Sequence, residues 1–307
     1  MTEPATYNYP RYLQSKTSVD ARALNRNVWA DFLEHLTGPS MLRIMEVGGG
    51  IGATVQRIVQ GLKERPCETL HYTFVDVTPE NIDTAVSSLR TWAQERGYEV
   101  SGHTEQTWTH RDLEVRLRFL TVDLMDIQTE YDGPSVDALV GQAVLDLLPI
   151  EEALRALQSV LRDGGLWYLP LHYDGVTAFE PSFHPTLDEN IERLYHESMS
   201  DAEQEGGREG AVSGRRLLSY FQSRDRQIVA AGGSDWVVTP RNGTYSEDEA
   251  YFLYHILHFV EQELLGHPEL DDASFRQWID TRRRQVERGE LIYIAHQLDI
   301  LARDLVS

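Results

Sequence analysis

Apolar residues recur at helical spacing over 18–36, where Val19, Ala23, Leu24, Val28, Phe32 and Leu36 share one side of a 3.6-residue wheel and Gly38-Pro39 ends the run. The pattern then changes. Residues 41–47 read as a short buried strand, a glycine turn occupies 48–52, and Val55, Ile58, Val59 and Leu62 restore the helical repeat. A second strand is expected over 71–77. Thr78 can cap the helix that follows, and Pro79 suits its first turn because the missing N–H has no partner there anyway. Strands at 115–122, 136–141 and 166–171, with a helix at 150–161 stopped by Asp163-Gly164-Gly165, continue the alternation. Such alternation implies a mostly parallel sheet covered on both faces, with ligands outside the carboxyl ends of its strands.

Beyond Tyr173 the pattern loosens. A helix is expected at 187–199, a glycine-rich acidic loop at 201–214 and a helix at 215–221. Gly232-Gly233 between apolar runs at 227–231 and 235–239 predicts a hairpin. The remainder reads as helices at 246–265, with Ser246 and Glu249 as a capping box, then 272–288 and 290–304. The chain therefore divides into an N-terminal helical cap (1–40), an α/β core (41–172), an insertion or lid (173–214), the end of the core with its hairpin (215–240) and a helical, substrate-covering region (241–307).

Composition narrows the classes. The 307 residues are 41% hydrophobic and 25% charged, as in ordinary globular proteins. Forty-nine acidic against 28 basic residues give a formal charge of -21, which repels nucleic acid and anionic membrane surfaces. Cys67 is the single cysteine, so an intrachain disulfide or a thiolate-rich zinc site is excluded and a reducing cytoplasm is the expected compartment. No run approaches the roughly 18–20 apolar residues needed to span a bilayer, and no export leader is apparent.

The chemistry concentrates at Glu46-Val47-Gly48-Gly49-Gly50-Ile51-Gly52, since glycines between a strand and a helix let a ligand approach backbone amides. Gly48, Gly50 and Ala53 also satisfy a G-x-G-x-x-A dinucleotide fingerprint, which keeps NAD or FAD open at this point. The neighbouring residues resemble the class I S-adenosylmethionine (SAM)-dependent methyltransferases. Glu46, Gly48, Gly50 and Gly52 are similar to the family's first motif. Asp76 stands where the second strand ends in an acid that holds the ribose, and Asp123-Leu124 stands where an acid near the adenine follows the third. Residues 136–140 and the 161–165 turn continue the likeness, with Asp163 in place of the usual proline. The resemblance implies a Rossmann-like seven-stranded sheet with its last pair antiparallel, SAM as cofactor and a small-molecule methyl acceptor. SAM chemistry other than methylation and an NAD(P)-dependent oxidoreductase are the alternatives.

Methyl transfer from a sulfonium needs positioning more than an added catalyst. Where the acceptor must lose a proton, His172, Asp146 and Tyr173 at strand ends are the expected groups, His172 foremost, although a strand-end histidine equally serves packing. Gln142 is expected at the cofactor's methionine end. Phe179, Phe183, His184 and Tyr195, with Tyr7, Tyr9 and Tyr12, could build an aromatic lid. Tyr251, Tyr254, His255 and His258 with Glu261 mimic a metal-ligand spacing, but a buried helix face explains them better and no metal is expected. Arg282, Arg283, Arg284 and Arg288 suit ion pairing with the acidic surface or a grip on an anionic substrate.

Overall fold

The computed structural model describes residues 3–36, 40–63, 67–206, 210–222 and 226–305, with no side-chain description over 200–206. Gly38-Pro39 and residues 207–209 of the expected acidic loop lie outside the described residues. Three short helices lead the chain: α1 (Tyr9–Ser15), α2 (Thr17–Ala23) and α3 (Arg26–His35). The single helix expected over 18–36 is broken because Asn25 is extended and caps α3, its side chain accepting from the N–H groups of Asn27 and Val28 at 3.1 and 3.2 Å.

The core then runs β1 (Met41–Val47), α4 (Ala53–Leu62), β2 (Thr69–Asp76), α5 (Pro79–Glu95), β3 (Glu99–Gly102), β4 (Glu105–His110), β5 (Leu113–Thr121), α6 (Ile127–Glu130), β6 (Val136–Val140), α7 (Ile150–Gln158) and β7 (Leu161–Glu180). After it come α8 (Pro185–Gly206), α9 (Ser213–Phe221), β8 (Arg226–Gly233), β9 (Trp236–Val238), α10 (Glu249–Leu264), α11 (Asp272–Arg288) and β10 (Ile292–Asp304).

The strands form one sheet in the order β3-β4-β5-β2-β1-β6-β7-β10-β8, with β9 also on β10. Its centre, β5-β2-β1-β6-β7, is parallel, while β10 runs antiparallel to β7, β8 and β9. The expected seven strands are therefore present as a path from β5 to β8, and β3, β4 and β9 raise the total to ten. The β3–β4 hairpin escaped the sequence pattern because an inward position carries glutamine. Gln106 is buried and donates to the Val86 carbonyl at 2.9 Å while accepting from Trp108 Nε1 at 2.8 Å.

Two expectations for the end of the chain are corrected. Residues 290–304, read as a helix, are mostly the strand β10, and the segments flanking Gly232-Gly233 pair with β10 instead of with each other. Both faces of β10 are packed, so apolar residues at 292–295, 298 and 300–302 imitate a helical period. Two smaller differences follow from tertiary contacts. The fifth strand extends well past 171, and the capping box at Ser246 does not form because the Glu249 carboxylate turns to Ser18 and Arg22.

Three apolar clusters hold these layers. One packs α3, α4 and α5 on a sheet face through Phe32, Val55, Ile58 and Leu89. Another packs α7 and α9 on the opposite face through Leu154, Leu157, Leu217 and Phe221. The third joins α10, α11 and α8 to β9 and the start of β10. Full burial of each such side chain contributes about 1.5–3 kcal/mol. The arrangement leaves the carboxyl ends of β1, β2 and β6 under α1 and α2, where the main cavity lies. A smaller cleft of about 340 Å³ beside Arg43, His71 and Arg116 includes none of the glycine turn. Among the described residues no helix is long and apolar enough to cross a membrane.

Candidate active site

The turn after β1 is built from left-handed backbone that favours glycine. Gly48 and Gly50 have φ of +62° and +57°, and a Cβ on Gly48 would stand 2.3 Å from Cγ2 of Val144. Gly48, Gly49 and Gly50 line the cavity, whose volume is about 740 Å³. Gly52, expected at the cofactor, is absent from that wall. It starts α4, and a Cβ there would meet Leu89 of α5 at 2.6 Å, so its task is close packing between helices.

Asp76 closes β2 beneath this turn. Its Oδ2 accepts from the Gly50 N–H at 2.9 Å, and its Oδ1 accepts from the Thr78 N–H at 2.9 Å and from Asn81 Nδ2 at 3.1 Å. A carboxylate offers about four acceptor sites, so capacity remains for a ligand hydroxyl at this cavity-lining group. Asp123 and Leu124 also line the wall, Asp123 while accepting from the Met125 N–H at 2.9 Å.

Glu46, near the end of β1, is 1% exposed and accepts from the Tyr72 hydroxyl at 2.8 Å. Burial pushes its carboxyl up to about 7, against the opposing effect of the Tyr72 and Thr54 hydrogen bonds. The raised folded value means that the folded state binds the extra proton between the ordinary carboxylic range and neutrality. Stability tied to this group is complete in acid and falls as pH rises through about 7. Glu46→Gln is therefore expected to gain stability over the parent between pH 5 and pH 8, by up to about 3 kcal/mol. Urea unfolding at the two pH values measures this, and equal parent-minus-variant differences at both would refute the assignment.

Gln142 is held from three directions. Its Oε1 accepts from Thr54 and Arg57, each at 3.3 Å, and its Nε2 donates to Asp20 at 3.0 Å. Asp20 also accepts from Trp236 Nε1 at 2.9 Å and pairs with Lys16 at 3.2 Å, joining α2, β9 and the end of β6 at one carboxylate. Asp20, Lys16, Trp236 and Tyr293 line the cavity but were not singled out in the sequence, because they come from segments far apart in the chain.

Asp146 and Tyr173 are brought together. The Tyr173 N–H donates to Asp146 Oδ2 at 3.3 Å, the Ser213 hydroxyl donates to Oδ1, and both residues line the cavity. Burial pushes the Asp146 carboxyl above the usual range. Burial likewise pushes the Tyr173 phenol up, and its hydroxyl shares a 2.9 Å hydrogen bond with Thr177. His172 is placed differently from the expectation. Leu171 and Tyr173 face the cavity, and strand alternation turns the intervening ring away. It is fully buried, and neither ring nitrogen has a hydrogen-bond partner among the described residues. Ala143 and Leu171, with φ of +50° and +59°, are both on the cavity wall, and local strain of this kind persists only where surrounding structure enforces it.

Of the expected lid, Tyr9, Tyr12 and Tyr195 reach the cavity, whereas Phe179, Phe183 and His184 do not. The histidines of α10 act as aromatic surfaces: Tyr12 stacks on His255 at 4.6 Å and Tyr7 on His258 at 4.0 Å. Burial pushes His255 down to about 4. Arg282 and Arg283 are ion-paired, to Asp188 at 2.6 Å and to Glu261 at 2.5 Å, and neither reaches the cavity.

The strand order and the glycine turn over an acidic strand end define a Rossmann-like fold. No protein-family model matches the chain. A 133-residue stretch, 40% of this chain, is 27% identical to highly reducing polyketide synthase 2 of Gibberella zeae, of which the match spans only 4%. Among solved structures the chain is similar to a SAM-dependent methyltransferase from Thiobacillus denitrificans in complex with S-adenosyl-L-homocysteine. The identity is 11% and the TM-score 0.47, covering 99% of this chain and 100% of that one. It is also similar to one from Geobacter sulfurreducens with the same ligand, at 12% identity and a TM-score of 0.46, covering 96% and 98%.

Proposed function

We propose that this chain is a SAM-dependent methyltransferase acting on a small molecule in a reducing, cytoplasmic setting. The observation that carries the reading is a single cavity in which the glycine turn, tied to Asp76 through the Gly50 N–H, opens toward Asp146 and Tyr173. The residues fit the group. Asp76 has acceptor capacity for ribose hydroxyls, Asp123 and Leu124 border the place for adenine, and Glu46 and Gln142 stand near the methionine end. A dinucleotide fits poorly, because its pyrophosphate would meet those carboxylates with Lys16 as the one cationic lining residue among those described.

SAM, when bound, supplies an electrophilic methyl group on a sulfonium. The chain's part is to hold the acceptor in line with it and to exclude water, which α1, α2 and the Lys16 between them do by covering the cavity with Tyr12, Leu13, Lys16 and Thr17. Asp146 is the group suited to take a proton from the acceptor, since shielding from solvent makes its carboxylate a better base.

Calorimetric titration with SAM, S-adenosylhomocysteine, NAD and NADP tests the reading before any acceptor is known. Binding of the two sulfur compounds alone is expected; binding of a nicotinamide cofactor alone would overturn it. Product analysis with an acceptor then separates methyl transfer from cyclisation or aminobutyryl transfer.

A further inference from the structure

The cavity continues past the glycine turn into a chamber between α1, α8, α10 and the strands β9 and β10. Tyr12, Tyr173, Tyr195, Trp236, Phe259 and Tyr293 form its wall. The charge along the whole cavity is one-sided: Asp20, Asp76, Asp123, Asp146 and Glu263 line it, and Glu46, whose carboxyl burial pushes up to about 7, adds only part of a charge near neutral pH. Among the described lining residues there is no arginine or histidine, and the one cation, Lys16, is held by Asp20 at 3.2 Å. Glu263 stands exposed on α10 at the solvent side of this chamber, within electrostatic reach of the half-buried Tyr195, and forms no ion pair with a described residue.

This combination selects by charge. A carboxylate or phosphate entering the chamber meets like charges with no free cation to offset them, while a neutral molecule gains only hydrogen bonds from the acids and no charge attraction. A cation gains twice, from the carboxylates and from the negative faces of the aromatic rings. We propose that the acceptor is a primary or secondary amine, held as its ammonium by the aromatic chamber and Glu263 and methylated on nitrogen. The proposal rests on the methyltransferase reading above.

The chemistry balances without a further reagent. The ammonium first gives one N–H proton to the Asp146 carboxylate. The nitrogen lone pair then forms the N–C bond as the S–C bond breaks. The electron pair of that bond returns to sulfur, so the sulfonium becomes a neutral thioether and the product is an N-methyl ammonium. Partial burial of Asp146, which holds its carboxyl above the usual range, suits it to receive that proton.

The test uses the full chain saturated with S-adenosylhomocysteine and titrated near neutral pH with amine, alcohol and carboxylate forms of benzyl, phenethyl and hexyl scaffolds. At least one amine is expected to bind about tenfold more tightly than its matched alcohol, with the carboxylates not binding. Glu263→Gln should reduce that amine affinity by roughly three- to tenfold while leaving S-adenosylhomocysteine affinity unchanged. Alcohols or carboxylates binding as well as the amines, or no amine binding while S-adenosylhomocysteine does, would overturn the proposal. If S-adenosylhomocysteine itself does not bind, the methyltransferase reading fails first and the amine assignment falls with it.

Discussion

Asp188→Ala is expected to lower the unfolding free energy by about 3–5 kcal/mol, the range for removing one partner of a buried ion pair. Asp188 is 7% exposed and receives donors from Ser182 Oγ at 2.7 Å, the Phe183 and His184 N–H groups at 2.9 and 3.0 Å, Trp278 Nε1 at 2.6 Å and Arg282 at 2.6 Å. Removing the carboxylate strands the Arg282 guanidinium, which is wholly buried and keeps, among the described residues, only the Pro181 carbonyl and Gln285 as acceptors. The loss should appear in urea unfolding as a lower midpoint with little change in slope. A midpoint within error of the parent's would show that the cluster carries no stability.

The same group predicts a pH dependence. Burial pushes the Asp188 carboxyl up, but the bonds from Ser182 and Trp278 and the charge of Arg282 more than offset this and hold it below the ordinary range. A depressed folded value means that the stability is present above the unfolded carboxyl's pKa of about 4 and is lost as pH falls through the folded value. Asp188→Asn should therefore weaken the parent's loss of stability below about pH 4.

Asp76→Ala is expected to weaken S-adenosylhomocysteine binding by roughly 10- to 100-fold, the equivalent of about 1.5–3 kcal/mol for a hydrogen bond to a charged group. Two effects combine. The variant loses the acceptor for the ribose, and it releases the Gly50 N–H, so the turn is no longer held in its ligand-ready form. Calorimetry reads the affinity, and circular dichroism checks that the fold is kept. Native-like affinity in a folded variant would remove Asp76 from the cofactor site.

The periodicity over residues 41–171 was sufficient for the alternating strands β1, β2, β5, β6 and β7 and the helices α4, α5 and α7, because each carries its own apolar signature, whereas the β3–β4 hairpin between them, with its buried glutamine, was not legible. Local chemistry also disclosed the glycine turn and the acid at the end of β2, since unusual backbone conformations demand particular residue types where they occur. Within that site the contents were decided elsewhere. His172 and Tyr173 are adjacent and chemically plausible alike, and only the direction of a strand separates the one on the cavity from the one behind it.

The end of the sheet was beyond local reading for a related reason. The strand β10 is apolar on both faces because β7, β8 and β9 border it and helices cover it, so its sequence imitates a helix until those partners are known. Asp20, Lys16, Trp236 and Glu263 look like ordinary surface or core residues one at a time. Their meeting around one cavity depends on contacts across more than 200 positions, such as the bond from Trp236 to Asp20, and side-chain identity along the chain does not encode such distances. The sequence by itself thus determined the order of the alternating core and the glycine turn with the acid that closes β2, which are local backbone requirements. The aromatic chamber and the closing strands were decided by tertiary packing, because they exist only where distant segments exclude water together.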